Sequence, residues 1–101
     1  MVLEYKIKIR DTTTPNDLDA FFTHAWTYRR PVIFTIDVTE CRRVSLGRVL
    51  SMKGVLDSHR PNSKKYIDHS VVLVKSRLAK TLLDVGLAII RTERPVKIRL
   101  A

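Results

Sequence analysis

Residues 31–50 read PVIFTIDVTECRRVSLGRVL. The run Val32-Ile33-Phe34-Thr35-Ile36 is apolar at nearly every position and stops at Asp37. A run of this kind predicts a central strand covered by helices on both faces, as in a parallel sheet. A short polar turn follows, Thr39-Glu40-Cys41-Arg42-Arg43, and Ser45 then offers a hydroxyl to cap a helix. Leu46, Val49, Leu50, Met52 and Leu56 share one arc, which predicts a single helix over 45–59. The opposite side carries a strip of small residues, Gly47, Ser51, Gly54 and Ser58. Glycine inside a helix costs about 1 kcal/mol relative to alanine. The strip therefore reads either as a plain exposed face or as a partner-docking face whose backbone something approaches closely.

Upstream, Leu3, Tyr5, Ile7 and Ile9 alternate with Glu4, Lys6 and Lys8, the pattern of a strand covered on one side only. Thr14, Pro15 and Asp17 form a helix start. Leu18, Phe21, Phe22, Ala25 and Trp26 recur behind it as one apolar stripe, and Arg29-Arg30-Pro31 ends the helix. Trp26 belongs to that stripe and reads as core.

Downstream, Arg60-Pro61-Asn62-Ser63 breaks the second helix, and residues 64–69 read as a polar connector with at most a helical turn. Ser70-Val71-Val72-Leu73-Val74 is a second apolar strand. Ser76 caps a third helix whose periodic face is Leu78, Leu82, Val85 and Ile89, with Gly86 inside it or near its end. After a turn at residues 92–95, Val96 to Leu100 alternates as another half-exposed strand. The order β-α-β-α-β-α-β predicts an α/β domain over residues 1–101, with a mainly parallel four-stranded sheet and right-handed crossovers.

The totals bound the function. The chain has 101 residues and 45% hydrophobic content, enough for one core. No apolar run approaches the ~18 residues that a membrane span needs, and the N-terminal residues lack the apolar block of a secretory signal. A single cysteine, Cys41, rules out an intramolecular disulfide and favours a reducing, intracellular or cytoplasmic setting. The net charge of +9 and pI near 10.2 favour polyanions, anionic lipid surfaces or acidic proteins as partners.

No enzymatic constellation stands out, and neither a cofactor nor a metal is expected. Gly47, Gly54 and Gly86 lie in helical pattern and form no phosphate loop. His24, His59 and His69 lack metal-ligand spacing. Cys41 sits beside Arg42 and Arg43, which would lower its pKa, but no base accompanies it. The best site candidate is the turn from Asp37 to Ser45, at the carboxyl edge of the sheet where ligands of open α/β sheets tend to bind. Arg10, Arg42, Arg43, Lys75 and Arg77 all follow strand ends and should gather there as anion-binding residues, near the helix starts at Ser45 and Ser76. Arg42-Arg43-Val44-Ser45 also has the form of a basic-directed phosphorylation sequence.

The stretch Ile36-Asp37-Val38-Thr39 followed by Val44-Ser45-Leu46-Gly47 resembles the STAS domain family, named for sulfate transporters and anti-sigma-factor antagonists. Its pattern is a buried strand ending in Asp-Leu-Ser or similar, then Asp-Ser-Ser-Gly-Leu opening a helix. The resemblance is specific over about a dozen residues, and the apolar strand at Val71 to Val74 and the helix at Leu82 to Leu87 continue the family order. Val44 stands where the family has its aspartate, and Leu46 replaces the second serine. The resemblance implies a non-enzymatic interaction module that docks another protein or a second copy of itself. It places a phosphorylation switch at Ser45 and the docking helix at Gly47, Ser51 and Gly54. The alternative is a basic binder of nucleic acid or anionic lipid.

Overall fold

The computed structural model describes residues 2–101. Its elements run β1 (Leu3–Lys8), α1 (Pro15–Trp26), β2 (Val32–Asp37), α2 (Leu46–Ser51), α3 (Lys53–Ser58), α4 (Arg60–Tyr66), β3 (Ile67–Val74), α5 (Arg77–Ile90) and β4 (Val96–Leu100). The strands make one four-stranded sheet in the order β1-β2-β3-β4, with every neighbouring pair parallel. The α/β class and the parallel sheet are those the alternating pattern predicts.

Strand order that equals chain order fixes where the helices go. Each β-α-β unit advances one strand in the same direction, so crossovers of one hand deposit all helices on one face. Burial along the strands follows this rule. On β2, Val32 and Phe34 are buried while Ile33 and Thr35 are only half-buried. On β3, Ile67, Ser70, Val72 and Val74 are buried, and His69, Val71 and Leu73 are half-buried. The reading of β2 as covered on both faces is thus corrected. Near-continuous apolarity tells that a strand is central; it does not tell whether helices lie on one side or two.

The core lies between this covered face and the helices. Ile7, Val32, Phe34 and Val74 are its largest sealed side chains, with Leu18, Phe22, Ala25 and Leu83 packed on them from α1 and α5. Thr14 caps α1 as expected: its hydroxyl accepts the Asp17 N–H, and the Asp17 carboxylate accepts the Thr14 N–H.

Two other elements differ from their sequence expectation. The single helix expected over 45–59 is interrupted at Met52, giving α2 and α3. The segment expected to break it instead forms α4, because a proline in the first turn removes only an N–H that no helical bond needs. β3 consequently begins at Ile67, inside the expected connector.

The second difference lies in α5, which is rotated by one position. Its buried residues are Ala79, Leu83, Gly86 and Ile90. The predicted face points outward instead: Leu78 is 70% exposed, Ile89 53% and Val85 45%. The reason is a close approach to α2. A Cβ placed on Gly86 would lie 2.4 Å from Val49 Cγ1, so the small residues Ala79 and Gly86 face inward. α5 ends at Arg91 in the left-handed conformation (φ 58°), whose N–H donates to the Leu87 carbonyl.

Candidate functional site

The parallel sheet brings the five candidate cations to one edge, beyond the carboxyl ends of β1, β2 and β3. Arg10 is already engaged there, donating through Nε to Glu40 at 3.1 Å, with Lys8 at 3.5 Å from the same carboxylate. Those bonds hold the Glu40 carboxyl below its ordinary pKa, the Arg10 hydrogen bond foremost. Asp37 is also lowered: its carboxylate accepts the Thr39 O–H at 2.6 Å and the Thr39 N–H at 2.8 Å. Asp11 accepts the Arg42 N–H at 3.1 Å. The side chains of Arg42, Arg43, Lys75 and Arg77 are exposed, and none forms an ion pair among the described residues. The edge thus keeps four free cations, with Arg10 spent on Glu40.

Cys41 does not behave as its neighbours in sequence suggest. Its thiol donates to the Ile9 carbonyl at 3.3 Å, and burial pushes its pKa up, outweighing the nearby Arg48. The expectation of a lowered pKa from Arg42 and Arg43 is corrected, because both of those side chains are exposed while the thiol is half-buried. A protonated thiol is a poor nucleophile.

Ser45 is exposed, and its hydroxyl accepts the Arg48 N–H at 3.2 Å as the cap of α2. Gly47, Ser51 and Gly54 are exposed as well. Among the described residues, nothing beyond the chain neighbours and the surrounding helix backbone lies within 4 Å of a Cβ built on Gly47 or Gly54. The Ser51 hydroxyl donates back to the Arg48 carbonyl at 2.5 Å. Within the fold, the close approach to a helix glycine is at Gly86, where the Val49 side chain lies against it.

The segment α2–α4 covers the sheet with little burial of its own: α2 and α3 contain no buried residue, and α4 only Ser63. Polar clasps hold it. The Arg48 guanidinium donates to the Arg10 and Thr13 carbonyls and pairs with Asp11, tying α2 to the loop after β1. Arg60 ties α4 to the end of α5, donating to the Ile90 carbonyl at 3.0 Å and the Arg91 carbonyl at 2.8 Å, with Asp57 and Glu93 beside it. His59 joins α1. Trp26 Nε1–H donates to His59 Nδ1 at 3.0 Å, and His59 Nε2 lies 2.6 Å from an Asp19 carboxylate oxygen. An indole can only donate, so Nδ1 accepts and the proton sits on Nε2, facing Asp19. His24 instead meets the Tyr5 hydroxyl at 2.8 Å, and His69 meets Asp68 at 2.6 Å. Among the described residues no three His, Cys, Asp or Glu gather as metal ligands, and no helix is long and apolar enough to cross a membrane.

Beneath this cover lies a partly enclosed cavity of about 170 Å³, its walls formed by Ile36, Val72, Met52, Leu56, Leu83 and Leu87. Arg43, Ser45 and Arg48 border it towards the carboxyl edge of the sheet, and Arg60, Glu93 and Arg94 towards the other.

The uncovered sheet face is the second feature that sequence reading missed. In register across it, Lys6, Thr35, Val71 and Lys97 form one row, and Lys8, Asp37, Leu73 and Arg99 the next. Ile33, between Glu4 and His69, extends the apolar centre. Half-buried apolar residues on β2 and β3 are thus flanked by cations on β1 and β4. The alternation of charges on the two outer strands signalled this face; the strand order needed to join them did not show in the sequence. Compared with known proteins, the chain matches no family model, no curated protein and no solved structure.

Proposed function

We propose that the chain is a non-enzymatic, STAS-like interaction module that docks an acidic protein partner on the uncovered face of its sheet. One observation carries the reading: the centre formed by Ile33, Val71 and Leu73 lies open between Lys6 and Lys8 on one side and Lys97 and Arg99 on the other. Burying such a centre is worth about 25 cal/mol per Å² of apolar area, and the flanking cations select a partner with carboxylates around an apolar patch. The same cations oppose face-to-face pairing of two copies, each with a net charge of +9. The strip Gly47-Ser51-Gly54 is also exposed but offers much less apolar area. Ser45, exposed beside the edge cations, is where the STAS resemblance puts a phosphorylation switch; a phosphoryl group there would draw Arg42 and Arg43 towards it.

The test uses an amphipathic helical peptide of leucine and glutamate, added to isotope-labelled protein and followed by amide NMR. Signals of Ile33, Val71, Leu73 and Lys97 should move, and binding should persist at ~200 mM salt. Val71→Asp should abolish it. Shifts confined elsewhere, or binding indifferent to Val71→Asp, would refute docking on this face.

A second reading rests on the four unpaired cations Arg42, Arg43, Lys75 and Arg77 at the carboxyl edge, which suit the phosphates of a nucleic acid or an anionic lipid. Such binding would collapse between ~50 and ~200 mM salt and would shift those four residues in place of the sheet face.

A further inference from the structure

We infer that the cavity under α2–α4 is a binding site for a small neutral molecule with an apolar, ring-sized body and one hydrogen-bonding group, of which phenol is the simplest. Size is the first support. At about 170 Å³ the space compares with the ~150 Å³ apolar cavity that suffices to take benzene.

The second support is polar and independent of size. Ser63 on α4 and Ser70 on β3 both line the cavity, and they are only 9% and 7% exposed. Neither hydroxyl makes a hydrogen bond among the described residues, although the backbone N–H of each is satisfied, by the His59 and Pro95 carbonyls. No fully buried side-chain polar atom among the described residues lacks a partner, so both oxygens keep some accessible surface. Here the free donors and acceptors look onto a space otherwise walled by aliphatic side chains.

The chemistry of the walls sets the class of ligand. A carboxylate would lose its hydration and gain only hydroxyls, a poor exchange in apolar surroundings. Of the arginines that border the cavity, Arg48, Arg60 and Arg94 are already bound to backbone carbonyls or carboxylates, and only Arg43, exposed at the rim, is unpaired among the described residues. A neutral hydroxyl or ring N–H exchanges hydrogen bonds with Ser63 and Ser70 at no such cost. Entry needs no rearrangement of the fully buried core, because the apolar side chains of the cover, Val49, Met52, Val55 and Leu56, pack on it only partly buried, beside the polar clasps at Arg48, His59 and Arg60.

The experiment titrates phenol, benzene and benzoate separately into the intact protein, observed by amide and methyl NMR. Phenol should shift Leu56, Ser63, Ser70 and Val72 and give nuclear Overhauser contacts from its ring to the Leu56 and Val72 methyls. Benzene should bind the same place more weakly, and benzoate should not enter. Ser63→Ala and Ser70→Ala, which shed one oxygen each and leave the packing intact, should lower phenol affinity by about 2- to 10-fold for each hydrogen bond lost while leaving benzene affinity unchanged. Ring contacts only to surface residues, absence of any contact at millimolar phenol, or phenol affinity untouched by both serine variants would overturn the assignment.

Discussion

Gly86→Ala should destabilise the protein, although alanine is the better helix former. The Cβ it introduces would lie 2.4 Å from Val49 Cγ1 and 3.2 Å from Val49 Cβ, with Leu46 Cδ1 at an ordinary 3.6 Å. Carbon atoms sit best at about 3.5–4.0 Å, so the overlap with the methyl exceeds an ångström. Val49 cannot swing clear, since a β-branched side chain in a helix has one strongly preferred χ1. α2 must therefore move off α5. Overpacking of this kind costs roughly 1–3 kcal/mol, and the gain in helix propensity returns about 1 kcal/mol. The net loss is about 1 kcal/mol, or ~4–8 °C in Tm for a chain of this size. Gly47→Ala and Gly54→Ala, which meet nothing, should shift stability the other way by about 0.5 kcal/mol each. The assay is urea unfolding followed by far-UV circular dichroism and Trp26 fluorescence. Val49→Ala serves as the second arm of a double-mutant cycle: with the methyl gone, Gly86→Ala should become neutral or stabilising. A Gly86→Ala protein as stable as the parent, or one that loses as much in the Val49→Ala background, would refute the close approach of α2 and α5.

Thr39→Val removes the Thr39 O–H bond, the larger of the two hydrogen bonds that hold the Asp37 pKa down, and keeps the one from the Thr39 backbone N–H. A carboxylate whose folded pKa is depressed adds stability above its unfolded value of about 3.9, and that stability is lost as pH falls through the folded value. The variant should therefore unfold at a higher pH in an acid titration read by circular dichroism; an unchanged midpoint would dismiss the contribution of Asp37. Cys41, raised by burial and bonded to the Ile9 carbonyl, should react with iodoacetamide at neutral pH far more slowly than in the urea-unfolded chain, and equal rates would contradict its placement. Arg91→Gly should raise stability by about 1 kcal/mol, because Arg91 holds a left-handed conformation at the end of α5 that glycine adopts without strain; a loss in urea unfolding would count against that cap.

The local chemistry of the fold was largely legible in the sequence. Thr14, Ser45 and Ser76 cap the helices where hydroxyls precede apolar periodicity, and the alternation of β1 and β4 marks the strands that end at the edges of the sheet. What failed depended on neighbours distant in sequence. The outward turn of Leu78, Val85 and Ile89 follows from Val49 pressing on Gly86, and periodicity weighs a leucine above a glycine. The open face of β2 follows from strand order, which Ile33 cannot signal by being apolar. The candidate cations were found because any parallel sheet gathers its strand-end loops on one edge. The cavity is not legible, since in the sequence Ser63 belongs to a helix break and Ser70 to the start of a strand.

Strand order that repeats chain order also governs how the sheet can be assembled. In sheets where a late strand inserts between two early ones, the early strands must wait, unpaired, for residues not yet made. Here β2 pairs with β1, β3 with β2 and β4 with β3, so every strand finds its neighbour already synthesised. The molecule can grow from its first strand to its last as it leaves the ribosome, with only one newly exposed edge at each step and no gap left in the sheet behind it.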